Sequence, residues 1–359
     1  MMITATKPEN RHDSRNKMTF ERLKYYRHLG GALECIASRL SKTPKPLCFS
    51  LMVTSKCNCD CDFCFWKSKK GNDDMPADEI VRLLTEAGKI GYMDSILWGG
   101  EPLLRQDFAE ICKASQDAGL YTKIATNGWY LETNPDFAKY TDLMFVSLDA
   151  IGKAHDDIRH LPGICDKVMS GIEYHKIHSP KMRIYVCCTV STQTNFEQIK
   201  EVAQYCKDAD ILLYFTVNKA ASIPEEAENV IETELENEQL AQMFIKIKEL
   251  KKQGYPIRNS YYFMDYIINK KTYYECHWPR IATVIYSNGD MLRCYDRKPF
   301  ISVRNRALKD VIKDPLFIET VNKCKDCKLA CVGNYALDAS GLWKLEWPAI
   351  KSLMEIAIT

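Results

Sequence analysis

The sequence predicts an α/β protein: a partial (β/α)6 TIM-like barrel followed by a small C-terminal β-hairpin/helix domain. Two observations carry that reading. Six strand-like runs alternate with helix-like segments between residues 47 and 217, and such a series implies a parallel sheet curved into an open barrel. In the last third, Asn288-Gly289 separates two further apolar runs, which is a strong hairpin signal. A chain of 359 residues with 46% hydrophobic composition can bury a core of that size.

Taken in order, residues 1–17 are polar and charged, without the hydrophobic stretch of a signal peptide. Residues 19–41 read as an amphipathic helix, with Phe20, Leu23, Leu33, Ala37 and Leu40 near one face and Arg22, Lys24, Arg27 and Arg39 elsewhere. Such a helix either packs on its own domain or rests on an anionic membrane surface. Pro44 and Pro46 end it. The strand-like runs are Leu47–Thr54, Ser95–Trp98, Tyr121–Thr126, Leu143–Leu148, Arg183–Val190 and Ile211–Val217. Helices are expected over 77–90, 106–118, 133–140, 165–178 and 196–207. An acidic stretch with Pro224, residues 218–233, reads as a linker. A helix over 234–252 follows, with Leu240, Met243, Phe244, Ile247 and Leu250 on one face, and then an aromatic-rich stretch from Tyr255 to Tyr274. The implied division is 1–46, 47–233 and 234–359.

A net charge of +2 carries no field that would gather nucleic acid. No apolar run approaches the ~20 residues of a membrane span. Sixteen cysteines in a chain without a secretion signal point to metal or redox ligands in a reducing cytoplasm, not to a disulfide frame.

Three of those cysteines stand in Cys57-Asn-Cys-Asp-Cys61-Asp-Phe-Cys64, a CxxxCxxC run immediately after the first strand. Three thiolates at this spacing can hold three irons of a [4Fe–4S] cube and leave the fourth without a protein ligand. Zinc is the plainer alternative, but its knuckles come in pairs or with nearby histidines. The nearest following histidine here is His155. The C-terminal ends of barrel strands are where such folds place their active sites. Cys59, inside the run, is read as an idle thiol, with an alternative ligand as the other reading.

With Asn58 after the first cysteine and Phe63 before the last, this run resembles that of the radical S-adenosylmethionine (SAM) superfamily. Gly99-Gly100-Glu101-Pro102 after strand two resembles its GGE motif. The resemblance implies that Gly99, Gly100 and Glu101 hold the SAM ammonium, and that Phe63 lies beside the adenine. It also implies that Asn127, Ser147 and Asp149 line the cofactor pocket at the ends of strands three and four. The segment His155-Asp-Asp-Ile-Arg159 resembles the family's HDxxR stretch, whose arginine can meet the SAM carboxylate as a forked donor. His155 reads as a local structural contact. For Asn127, Ser147 and Asp149, ordinary capping and turn chemistry is the competing reading.

A second cysteine set follows: Cys276, Gly289 with Cys294, then Cys324, Cys327 and Cys331. The predicted hairpin brings Cys276 and Cys294 together, and a later turn supplies the CxxC pair. This layout resembles the twitch and SPASM auxiliary domains of that superfamily. It implies one auxiliary [4Fe–4S] cluster on Cys276, Cys294, Cys324 and Cys327, with Cys331 in reserve and a four-thiolate zinc site as the alternative. Cys35, Cys48, Cys112, Cys165, Cys187, Cys188 and Cys206 read as core residues.

The resemblance implies reductive cleavage of SAM to methionine and a 5′-deoxyadenosyl radical, fed by a flavodoxin- or ferredoxin-type electron donor. That radical then abstracts hydrogen from substrate or adds to a double bond. The expected product chemistry is oxidation or coupling of a small-molecule or lipid-like biosynthetic substrate, with a peptide or protein substrate second. An iron–sulfur electron carrier or redox sensor is the non-enzymatic alternative. The expected setting is an anaerobic cytoplasm, either free or at the membrane periphery.

Overall fold

The computed structural model describes residues 44, 46–64, 73–218, 235–269, 274–293, 299–323, 326–327, 338, 341 and 344–351. The expected N-terminal helix, all but the first residue of the acidic linker, Cys35, Cys294, Cys324 and Cys331 lie outside them.

Six parallel strands form the sheet in sequence order: β1 (Cys48–Thr54), β2 (Asp94–Gly99), β3 (Tyr121–Thr126), β4 (Leu143–Ser147), β5 (Arg183–Val190) and β6 (Leu212–Val217). Helices α1 (Ala77–Ile90), α2 (Phe108–Asp117), α3 (Lys153–Arg159), α4 (Ile164–His178) and α5 (Phe196–Asp208) fall between them. The segment Pro135–Tyr140 is a 3-10 helix. The short α3 is an addition to the expected elements. It holds the His155–Arg159 stretch, and its seven residues are too few for periodicity to detect.

Alternation of side chains gives the sheet two packed faces. On β1, Phe49, Leu51 and Val53 point into the main core beneath the helices, where α1 contributes Ile80, Leu83, Leu84 and Ala87. That spacing is one face of a helix. The intervening Met52 instead packs with Val284, Tyr286, Leu292 and Trp98 on the lumen side. Further round, Leu143, Phe145 and Tyr185 form the other lumen cluster. With both faces covered, all seven residues of β1 are buried.

The C-terminal hairpin does not stand apart from the barrel. Strand β8 (Ala282–Ile285) runs parallel to β1, with Cys48 opposite Ala282. Strand β9 (Asp290–Leu292) returns antiparallel through the Asn288-Gly289 turn, and β10 (Pro299–Ser302) follows. The complete sheet therefore reads β10-β9-β8-β1-β2-β3-β4-β5-β6. At its other edge, the segment between α6 (Asn237–Lys252) and α7 (Tyr261–Ile268) runs beside β6, with Leu213 N donating to Pro256 O and Arg258 N to Leu213 O, both at 2.8 Å. There the Asn259 side chain brackets the Phe215 backbone, accepting from its N–H at 2.7 Å and donating to its carbonyl at 2.9 Å. A two-stranded sheet pairs β7 (Tyr274–Glu275) with β11 (Asp326–Cys327). Among the described residues no helix is long and apolar enough to cross a membrane.

Candidate active site at the mouth of the barrel

The loop after β1 carries the motif cysteines over the C-terminal end of the sheet. Its start is pinned by Asp74, which accepts hydrogen bonds from Thr54 Oγ1 at 2.6 Å and Ser55 N at 2.9 Å. Its far side is pinned by the loop after β2. Gly100 N donates to Thr54 O at 2.9 Å, and Glu101 N to Lys56 O at 2.7 Å. A Cβ on Gly99 would stand 2.4 Å from Thr54 O, and one on Gly100 would stand 2.1 Å from Lys56 O and 3.0 Å from Cys57 Cβ. The two glycines thus let the backbone approach the cysteine loop itself.

Glu101 is fully buried. One carboxylate oxygen accepts from Leu103 N at 3.0 Å and Thr126 Oγ1 at 2.7 Å, and the other accepts from Asn127 N at 2.6 Å. Burial raises its pKa to about 7 against the pull of these donors. Asn127 continues the chain of contacts into the thiols. Its Nδ2 donates to Asn58 Oδ1 at 2.7 Å and to Cys59 Sγ at 3.3 Å, and lies 4.0 Å from Cys57 Sγ.

A second group meets the motif from the opposite side. Asp149, fully buried, accepts from Arg159 Nε at 2.7 Å and Thr189 N at 2.8 Å. Burial pushes its carboxyl upward, yet the Arg159 charge and its hydrogen bonds hold it below the ordinary value. The Arg159 guanidinium lies 5.1 Å from the Phe63 ring centroid, and its Nη1 is 4.0 Å from Cys61 Sγ. His155 is buried and accepts from Asp149 N at its Nδ1, 3.1 Å away. The imidazole is therefore neutral with its proton on Nε2, and desolvation lowers its pKa to about 4. Ser147 sits half-buried at the end of β4, opposite Cys187.

These thiols suit an iron–sulfur cube. The neighbouring Cys59 thiol and the Arg159 charge draw Cys61 down to about 6 against its burial, and Cys57 is lowered chiefly by its hydrogen bond from Cys59. Both are thus inclined toward the thiolate that binds iron. Cys64 is half-buried, tied by its N–H to Cys61 O at 3.1 Å. Among the described residues no three Cys, His, Asp or Glu side chains close on a single metal ion, whereas a cube takes each thiolate on a different iron.

Three contributors have no signature in the sequence. Asp62 accepts from Gln193 Nε2 and from His160 Nε2, both at 3.0 Å, and so ties the motif to the loops after β4 and β5. Asp74 fastens its start. Arg105 donates from Nη1 to Val53 O at 2.8 Å and Met75 O at 3.0 Å, joining the end of β1 to the start of α1. All are contacts between distant loops, with neither periodicity nor motif to betray them.

In the C-terminal part, Cys276 is buried in the main core, and Tyr274 pairs with Cys327 across β7 and β11. The backbone therefore brings the segments of Cys276 and Cys327 side by side. Cys48, Cys112, Cys165, Cys188 and Cys206 are buried, and Cys187 is half-buried on the lumen side.

The sequence profile of the Radical SAM superfamily matches residues 51–233. The AdoMet-dependent heme synthase of Methanosarcina barkeri is 30% identical over 183 residues, 49% of this chain and 51% of that protein. The sporulation killing factor maturation protein SkfB of Bacillus subtilis is 20% identical over 304 residues, 83% of this chain and 72% of that protein. The first curated relatives are spanned over only about half their length. Among solved structures, Streptococcus suis SuiB bound to precursor peptide SuiA superposes with a TM-score of 0.64 at 16% identity, covering 88% of this chain and 74% of that one. That likeness is one of fold, and it extends beyond the barrel. The profile covers most of β1, strands β2–β6, the cysteine loop and the Gly-Gly-Glu turn whose geometry is described above, and this chain belongs to the radical SAM superfamily of enzymes.

Proposed function

We propose that this protein reductively cleaves SAM and uses the resulting 5′-deoxyadenosyl radical to oxidise or couple a substrate held at the barrel mouth. The observation that carries the reading is the convergence of the cysteine loop, the Gly99–Glu101 turn, Asn127 and the Asp149–Arg159 pair at one end of the sheet. Cys57, Cys61 and Cys64 would hold the cluster, which supplies the electron for SAM cleavage when reduced by a flavodoxin- or ferredoxin-type donor. Gly99 and Gly100 keep the β2 loop against those cysteines. Asp149 orients Arg159, and Phe63 offers its ring beside that guanidinium. Ser147 would line the same pocket. Cys276, Cys294, Cys324 and Cys327 would bind one auxiliary [4Fe–4S] cluster able to accept an electron from a substrate radical. Anaerobic reconstitution with iron, sulfide, SAM and dithionite tests the reading. Formation of 5′-deoxyadenosine supports it, and intact SAM from a fully loaded protein defeats it.

For the substrate, a small-molecule or lipid-like compound is the first reading, and heme synthesis by a 30% identical relative supports it for the barrel. A peptide or protein substrate is the second. In its favour, the relative named as a maturation protein is matched over 83% of this chain, through the C-terminal part, whereas the heme synthase match covers 49%. Mass spectrometry of turnover mixtures with candidate peptides and candidate porphyrins separates the two.

A further inference from the structure

Cys59 stands where the CxxxCxxC pattern asks for no ligand, yet the fold makes it part of the thiol group. It is buried, at 4% exposure, and stands between Cys57 and Cys61 in the chain. Its backbone N–H donates to Cys57 Sγ at 3.4 Å. Asn127 Nδ2 donates to its sulfur at 3.3 Å, and the Asn127 backbone donates to Glu101. The same Nδ2 lies 4.0 Å from Cys57 Sγ, so the Cys57 and Cys59 sulfurs meet at the amide of Asn127, one of the residues assigned to SAM. Packing alone would be served there by any small apolar side chain, whereas a thiol among thiols has affinity for iron.

We propose that Cys59 is an exchangeable fourth thiol ligand of the barrel cluster, closing the iron that SAM later takes. The proposal rests on Cys57, Cys61 and Cys64 being the permanent ligands. On closing, the Cys59 S–H bond breaks, its proton passes to solvent and a sulfur–iron bond forms. The amino and carboxylate groups of SAM replace that bond, and the sulfur takes a proton back. No electron is transferred. A site closed in this way resists oxidative loss of its fourth iron before SAM arrives. It also weakens the apparent affinity for SAM, because only the open fraction binds.

The test compares wild type, Cys59→Ala and the size-conserving Cys59→Ser as full-length reconstituted proteins, matched for iron content and melting temperature. Each is oxidised with ferricyanide without SAM, and the three-iron cluster left by loss of the open iron is quantified by electron paramagnetic resonance. Both variants should give several-fold more of it than wild type and should bind SAM more tightly in calorimetry. Saturating SAM should abolish the difference in three-iron yield. Equal yields without SAM overturn the proposal, as does a difference that survives saturating SAM. The auxiliary set is common to all three proteins and drops out of the comparison. Failure of the underlying assignment reads differently: Cys57→Ala would then keep its full iron content.

Discussion

Cys57, Cys61 and Cys64 share one loop, held by hydrogen bonds from the ends of neighbouring strands. Cys276 directly follows β7 and Cys327 lies in β11, so their segments are brought together by the β7–β11 pairing. In the first set, the spacing along the chain already determines which thiols can share a cluster, and the rest of the barrel holds the loop in place. In the second, the chain must fold before its thiols become neighbours. The local set therefore suits a site that must leave one iron open to SAM. The dispersed set would suit a closed cluster, because its proposed ligands come from different elements and a cluster on them would staple the C-terminal part together.

The sharpest way to break that comparison is to delete one set at a time. Replacing Cys57, Cys61 and Cys64 together by Ala should abolish 5′-deoxyadenosine formation and reduce iron from about eight to about four per chain, since each cube holds four. Replacing Cys276 and Cys327 should remove the same amount of iron while leaving uncoupled SAM cleavage largely intact, though substrate turnover should fail. Iron analysis with a chromatographic assay for 5′-deoxyadenosine reads both. About four irons with zinc in wild type would reduce the second set to a structural knuckle.

The loop that presents the first set should also be the less forgiving of added volume. In Gly100→Ala the new methyl meets the Lys56 carbonyl at 2.1 Å, a backbone atom that cannot swing aside. The expected loss is about 3 kcal/mol or more in denaturant unfolding, together with poor cluster loading. Gly91→Ala is the control. Its Cβ would meet nothing within 4 Å, so only the strain of its positive φ should register. Similar losses in cluster loading for the two variants would show that Gly100 is a turn residue only.

The barrel site should further show a pH signature made of two opposing parts. The His155 pKa is lowered to about 4 by burial, below its unfolded value of 6.5. Its contribution to stability is present above about 6.5 and lost as pH falls toward about 4. Glu101 is raised to about 7 from 4.5, again by burial. Its contribution is present below about 4.5 and lost as pH rises through about 7. Each is on the order of 3 kcal/mol, and over their shared window they oppose one another. Urea unfolding of wild type should therefore vary little with pH there. His155→Gln should leave stability falling with rising pH, and Glu101→Gln should leave it rising. Parallel pH profiles for the two variants would contradict these environments.

The fold was largely legible in the sequence because strands and long helices have periods that can be read. Tyr121–Thr126 and Arg183–Val190 have the same bounds in the sequence reading and in the structure, and the hairpin turn falls at Asn288-Gly289. The cysteine loop was legible as a motif. The sequence did not reveal that the hairpin continues the barrel sheet beside β1, since strand order across a chain crossing leaves no local mark. Nor did it reveal Asp62, Asp74 and Arg105, whose partners lie in other loops. For Gly99 and Gly100 the motif implied a part in holding the SAM ammonium, and the structure shows close approach to the cysteine loop.

Glu101 is where the sequence motif and the geometry make separable demands. The motif implies a carboxylate that holds the SAM ammonium. The geometry shows one that already accepts three internal hydrogen bonds, joining the loops after β2 and β3. Glu101→Gln keeps the shape but turns one terminal atom into a donor. If the amide oxygen retains Leu103 and Thr126, the new NH2 faces the Asn127 N–H, and a buried donor loses its acceptor. That should cost about 1–3 kcal/mol of folding stability. If the carboxylate also holds the ammonium, loss of a charge-assisted bond should weaken SAM binding about 10- to 150-fold, or about 1.5–3 kcal/mol. The two effects are read by different measurements, denaturant unfolding for the first and calorimetric titration of SAM for the second. Lower stability with unchanged SAM affinity would make Glu101 an internal strut, leaving the glycines as the working part of the turn. Weaker SAM binding at unchanged stability would mean that the internal bonds rearrange around the amide, and that the ammonium contact is the one the carboxylate serves.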